Sequence, residues 1–224
     1  MLEPNILQQV TEIFRNLEAD YTFRISYAPQ REECVLLIEF LNDFASTSTR
    51  LCVEKYEAEG DALAFDLLKN GEDTGITFRG IPNGHEFTSL LLAVLNADGK
   101  GKNLPDEGIA QRIRSLKGEI HLQTYVSLTC TNCPDVGQTL NIFALLNPNI
   151  RHEMVDGALF QSEVDAKGVQ AVPSVFADGK LLHVGRGSLG ELLEKLEEAY
   201  LRYALFLSIS CILLVTPLVV GKKN

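Results

Sequence analysis

Residues 119–140 read EIHLQTYVSLTCTNCPDVGQTL, and the fold turns on how this stretch is read. The first nine residues alternate as a strand does, and Cys133 to Leu146 carries a helical pattern. Two cysteines, Cys130 and Cys133, stand at the joint between strand and helix. That position puts Cys130 at the helix N-terminus, where unpaired N–H groups and the helix dipole stabilise an anion. A stabilised thiolate means a lowered thiol pKa and a stronger nucleophile toward disulfides. Cys130 is therefore the expected attacking thiol. Cys133, one turn into the helix and less exposed, is the expected resolving thiol. Pro134 suits an early helical position, where a missing N–H costs little. Thr131 and Asn132 lie between the sulfurs and help set the reduction potential. The same spacing also serves zinc, which needs four ligands or three plus water. A second CxxC is missing, His121, His152 and His183 form no close ligand pair, and the proline after Cys133 excludes a c-type haem site. Redox chemistry is favoured, with a metal site and an inert buried pair as the alternatives.

Working outward, Ile150 to Val155 reads as a strand and Phe160 to Ala166 as a short helix. Val172 to Phe176 is a strand leading into the turn Asp178-Gly179, Leu181 to Val184 returns, and Ser188 to Tyr200 closes as a helix. The first half follows the same order. Residues 1–19 form a helix with Ile6, Val10, Ile13, Phe14 and Leu17 on one face. Tyr21–Tyr27 is a strand, Glu33–Ala45 a helix and Leu51–Tyr56 a strand. A hairpin follows, with Phe65–Lys69 and Gly75–Phe78 joined through Asn70-Gly71. A helix from His85 to Asn96 ends the half. The two hairpins repeat at an offset of about 108 residues. Strands alternating with helices, then a hairpin and a terminal helix, make an α/β sheet of the thioredoxin type, present twice. The join is expected near 96–105, where Gly, Lys, Asn and Pro cluster. The expected organisation is a repeat without active cysteines over 1–100, a repeat with the CxxC over 101–200, and an apolar tail over 201–224. The first repeat has Ala28-Pro29-Gln30 where the second has its cysteines. In such a fold Pro173 is expected to be cis and to face the dithiol, turning the Val172 backbone toward an incoming peptide. A trans proline opening an edge strand is the plainer alternative.

The 224 residues, 46% of them hydrophobic, suffice for two domains with a sizeable core. A formal charge of −10 argues against nucleic acid and anionic membrane surfaces as partners. No signal peptide opens the chain, which points to the cytoplasm, where thiols stay reduced. Cys34 and Cys52 read as buried small hydrophobes rather than redox partners, and Cys211 as inert. Glu86 either favours the dipole of its helix or lies in the cleft between halves and tunes the dithiol. His85 beside it reads as a cap or surface residue, and the acidic run from Glu191 to Glu198 as a solvated face. Ala204 to Val220 is an uncharged apolar run between Arg202 and Lys222-Lys223. It stands at the short end for a spanning helix. Three readings are open: a C-terminal membrane anchor, which would run against the usual lysine bias, an accidental tail replacing a linker, or a helix packed on the domain.

The segment from Thr124 to Val136 resembles the N-terminal domain of the alkyl hydroperoxide reductase flavoprotein subunit. So do Leu146-Asn147-Pro148, Val155-Asp156-Gly157, Phe160-Gln161 and Val172 to Phe176. Gly84 to Leu90 is similar to the same family's first thioredoxin repeat, and the resemblance covers about Met1 to Leu196. It implies two fused thioredoxin folds with one active dithiol: Cys130 the nucleophile, Cys133 the resolving thiol and Pro173 the cis proline. It also implies a protein-disulfide oxidoreductase that passes electrons from a flavoprotein reductase domain to the disulfide of a peroxiredoxin. Thr131, Asn132, Val172 and Pro173 would then meet the partner. FAD and NADH belong to a flavoprotein portion whose Gly-x-Gly-x-x-Gly turn this sequence lacks, so no cofactor is expected in this chain. A contrasting expectation is a non-catalytic docking adaptor, tethered to a membrane through the tail.

Overall fold

The computed structural model describes residues 2–200, so the three readings of the 201–224 tail, and Cys211 with it, lie outside the described residues. The order is α1 (Pro4–Phe14), β1 (Tyr21–Tyr27), α2 (Glu33–Ala45), β2 (Leu51–Glu57), β3 (Leu63–Lys69) and β4 (Glu72–Arg79). A 3₁₀ turn (Gly84–Glu86) leads into α3 (Phe87–Ala97) and α4 (Glu107–Ser115). Then come β5 (Ile120–Val126), α5 (Cys133–Leu146), β6 (Ile150–Asp156), α6 (Gln161–Lys167), β7 (Ser174–Ala177) and β8 (Lys180–Val184). Residues 189–200 are helical and are called α7. Among the described residues no helix is long and apolar enough to cross a membrane.

All eight strands form one sheet, ordered β2-β1-β3-β4-β6-β5-β7-β8. Each half contributes four strands in the same relative order, as a duplicated thioredoxin fold requires. The halves meet where β4 pairs parallel with β6, Ile76 opposite His152 through Arg79 opposite Val155. The two hairpins match in detail. Asn70-Gly71 and Asp178-Gly179 turn with positive φ at both residues, and a register shift precedes each turn, at Leu67/Leu68 and Val175/Phe176. Positive φ at both central residues is what a two-residue hairpin turn needs to follow the twist of its strands.

One apolar core runs through both halves, from Phe14, Phe23 and Phe44 to Leu140, Phe143 and Leu193. Helix α2 packs on β1, β2 and β3, whereas α5 reaches across the seam onto β4 as well as β5 and β6, with α3 against it. A polar row bridges the strands in register. Arg24 pairs with Asp66 at 2.9 Å, Thr77 donates to Asp66 at 2.7 Å, and Gln123 donates to Glu153 at 2.9 Å. The halves are also clamped around Phe160, whose ring lies 5.0 Å from the Arg31 guanidinium and 4.3 Å from that of Arg79. Arg79 in turn holds Glu163 through both nitrogens, at 3.1 and 2.8 Å.

Three expectations need correction. Ile13 is 46% exposed rather than on the buried face of α1, because the stripe that meets the core runs through Val10 and Phe14. Cys52 is exposed, not buried: it projects from the edge strand β2, with its sulfur 3.1 Å from the Thr22 hydroxyl. Cys34 is buried as expected. Helix α4 has no counterpart among the expected elements. Its Asp106 cap accepts the Ile109 N–H at 2.9 Å, and Arg112 pins it to Glu197 of α7.

Two buried ionisable groups of opposite type sit near the seam. His152 is fully buried, held at one ring nitrogen by Thr124 (2.8 Å) and at the other by Asn141 (2.7 Å). Loss of hydration, with a smaller push from His121, drives it down to about 3. Glu86 is 1% exposed, and burial raises it to about 7, against a Ser89 hydrogen bond that favours the carboxylate. Below about 6.5 the unfolded chain protonates His152 and the folded one does not, so acid erodes stability. Between about 4.5 and 7 the folded chain protonates Glu86 and the unfolded one does not, so acid adds stability there. The two effects oppose between about pH 4.5 and 6.5. Urea unfolding across that range should show a Glu86→Gln variant losing, as the pH falls, up to about tenfold in its folding constant per pH unit relative to wild type. His152→Gln should shift the slope the opposite way.

A second outcome concerns Gly84, at φ +55°, where an added Cβ would lie 2.6 Å from the Leu128 carbonyl oxygen. Gly84→Ala should destabilise by about 1–3 kcal/mol, read from the urea midpoint.

Candidate redox site

The site forms at the C-terminal end of β5. Residues 127–132 connect that strand to α5, and their path is fixed locally: the Cys130 N–H bonds the Ser127 carbonyl at 2.9 Å. The Ser127 and Thr129 hydroxyls meet at 3.1 Å. Cys130 and Cys133 are joined as a disulfide with Cα atoms 5.5 Å apart, within the normal span. Cys133 is fully buried and Cys130 partly exposed, the asymmetry expected of resolving and attacking sulfurs.

The helix starts at Cys133, where its pattern predicts, but Cys133 does not lie one turn into it. Cys133 is its first residue and Cys130 precedes it, so the buried sulfur belongs to the opening turn rather than to the next one. The helix start still faces the Cys130 sulfur, because the Cys133 backbone N–H points at it at 3.2 Å. That N–H is one of the donors a helix start leaves unpaired. Pro134 occupies an early helical position, where it removes no needed donor.

The Val172–Pro173 peptide bond is cis, and the Val172 carbonyl oxygen lies 3.8 Å from the Cys130 sulfur. The dithiol and the proline loop, 40 residues apart along the chain, thus form one surface. Thr131 is exposed on it. Asn132 flanks α5 without capping it, because its side-chain oxygen instead accepts from Arg186 Nε at 2.5 Å. Arg186 is a site residue that the sequence reading missed. The loop after β8 brings it there, and the Gly185 N–H bonded to the Pro173 carbonyl at 2.8 Å anchors that loop.

Glu86 does lie between the halves. It lines a small cleft with Pro82, Val126, Leu128 and Asp156, of which Leu128 belongs to the loop that carries the dithiol. Ser89 donates to one of its oxygens at 2.7 Å and takes a bond from Gln138 of α5 at 3.2 Å, while the other oxygen is buried without a partner. The adjacent His85 is exposed, and its backbone N–H holds the Leu128 carbonyl at 3.1 Å. Among the described residues no three His, Cys, Asp or Glu side chains are grouped to hold a metal ion.

The family described as "Thioredoxin domain" matches residues 120–198. The alkyl hydroperoxide reductase AhpF of Staphylococcus epidermidis is 39% identical over 88% of this chain, which spans 38% of that protein. A Bacillus subtilis protein named NADH dehydrogenase is 40% identical over the same share and is spanned to the same extent. The chain thus covers under two-fifths of the length of these curated relatives. The N-terminal domain of alkylhydroperoxide reductase AhpF from Enterococcus faecalis superposes with a TM-score of 0.79 at 30% identity, over 88% of this chain and 100% of that one. A protein disulfide oxidoreductase from Aeropyrum pernix has the same fold, with a TM-score of 0.79 at 21% identity over 89% of this chain and 94% of that one. The chain is a thioredoxin-fold module bearing a CxxC disulfide, as a thiol–disulfide oxidoreductase requires, and it belongs to the family of N-terminal domains of the alkyl hydroperoxide reductase AhpF.

Proposed function

We propose that this chain carries electrons from a flavoprotein reductase domain to the disulfide of a peroxiredoxin, through the Cys130–Cys133 dithiol. The observation that supports this most directly is the pairing of a partly exposed Cys130 with a buried Cys133 beside a cis proline. In the reduced protein the Cys130 thiolate attacks one sulfur of the partner disulfide. A new S–S bond forms, the partner's bond breaks, and its second sulfur leaves as a thiolate that takes up a proton. The Cys133 thiol loses its proton and its sulfur attacks Cys130, expelling the remaining partner sulfur and closing the intramolecular disulfide. Two electrons have passed from the dithiol to the partner. Return of the module to its dithiol state falls to the reductase domain, and its flavin and NADH chemistry to the portion of the relatives that this chain does not span.

Cys133 N–H and the α5 dipole stabilise the Cys130 thiolate, while Val172 offers its backbone to the partner's strand. Thr131 and Asn132 form the surface on which the partner rests. Glu86 tunes the pair from below: when ionised it opposes a thiolate above it, and when protonated it does not.

Reduced protein mixed with an oxidised peroxiredoxin should lose two thiols, and Cys130→Ser should reduce the transfer to the uncatalysed level. Cys133→Ser should instead accumulate a mixed disulfide through Cys130. Binding without thiol loss in the wild type would favour the docking adaptor. Glu86→Gln should lower the apparent pKa of Cys130 and speed its alkylation by iodoacetamide severalfold near neutral pH. An unchanged pH profile would remove Glu86 from the tuning role.

A further inference from the structure

Around the dithiol the polar side chains are uncharged, Thr129, Thr131 and Asn132, and the cation placed among them is Arg186. Its Nε is spent on a neutral amide oxygen, Asn132 Oδ1 at 2.5 Å. A guanidinium carries five N–H donors in a planar fork matched to a carboxylate. Among the described residues no carboxylate forms an ion pair with it. Asp135 instead shares a shallow groove with Gly187 and Ser188. Arg186 is exposed, so the charge is available to a partner.

The backbone beneath it is fixed. His183 Nε2 faces two carbonyl oxygens, Gly185 at 3.1 Å and Arg186 at 2.7 Å, and so must be the donor to both. The other ring nitrogen then accepts from Lys195 of α7 at 3.0 Å. Gly187 is required beside this ring, since a Cβ there would lie 2.7 Å from His183 Nε2. Gly185 closes the arrangement on the carbonyl of the cis proline. A cation presented from a fixed loop at the rim of the reacting sulfur loses little freedom on engaging a partner.

We propose that Arg186 is a specificity-determining residue that reads a carboxylate flanking the target cysteine of the partner. The inference rests on the disulfide-reducing role proposed above and names what that site prefers. A peptide lying along the Val172 edge passes the Arg186 fork within a residue or two of its sulfur, and an aspartate or glutamate there meets a charge-assisted, two-pronged hydrogen bond. The formal charge of −10 acts against acidic partners at long range, so the preference has to arise from this contact.

The test uses the full chain, pre-reduced, and two symmetric peptide disulfides identical except that the cysteine is flanked by aspartate in one and lysine in the other. Release of peptide thiol is followed by chromatography. The acid-to-lysine ratio of second-order rate constants should be about tenfold higher in wild type than in Arg186→Gln, since a close charge pair is worth on the order of one such factor. It should fall further in Arg186→Glu and shrink in molar salt. Taking the ratio between variants cancels the long-range field. A purely structural role for the Asn132 contact would slow both peptides equally and leave the ratio unchanged, and that result overturns the proposal. If wild type reduces both peptides at a ratio insensitive to residue 186, only this inference falls. If it reduces neither, the disulfide-reducing role falls with it.

Discussion

The structure depends on the parallel pairing of β4 with β6. Parallel pairs are slightly weaker per residue than antiparallel ones and persist where both faces are covered. Here α5 lies over the joint on one side and the polar row from Arg24 to Gln123 holds strands in register on the other. A slip of one residue would turn Ile76 and Phe78 outward and break that row. The joint fixes where the last segment of the first half lies against the dithiol loop of the second. Gly84 and His85 touch Leu128 only because β4 and β6 are neighbours.

This gives the half without the CxxC a structural part in the module. Its 3₁₀ turn supplies the floor of the redox loop and a carboxyl group held near neutrality, while its clamp on Phe160 restrains the segment following β6. The second half supplies the reacting sulfurs, the helix start beneath them and the proline loop beside them. Neither half contains the whole arrangement. His152 shows the same interdependence in stability: burial favours its neutral form, and Thr124 of β5 and Asn141 of α5 together hold its two ring nitrogens.

Features written in local sequence are legible from a few neighbouring residues. Asn70-Gly71 and Asp178-Gly179 announce their turns because few residues tolerate positive φ. The strand–CxxC–helix succession and Val172-Pro173 mark the site in the same way, each through a short run of chain. Non-local features stay hidden. No periodicity reveals that Arg186 meets Asn132 across 54 residues, or that His152 finds Thr124 and Asn141. Cys52 is misjudged because alternation marks two faces of a strand without saying whether the strand lies at an edge. The expected burial of Ile13 fails because a helical stripe is wider than the part that meets the core. Helix α4 escapes a hydrophobic pattern since its nine residues are mostly polar, although Asp106 marks its start.

Joining two four-stranded sheets also changes what the molecule shows to its neighbours. Two separate sheets would present four unpaired borders, each a template for unwanted strand addition. The joined sheet presents two, β2 and β8. β2 carries Glu54, Lys55 and Glu57 on exposed positions, and β8 is five residues long and opens with a lysine. Severing the halves would uncover β4 and β6, whose facing sides carry Ile76, Phe78 and Met154. A half-length fragment of this protein would therefore be sticky where the whole is not, which makes inheritance of the two copies as a unit a safeguard against self-association.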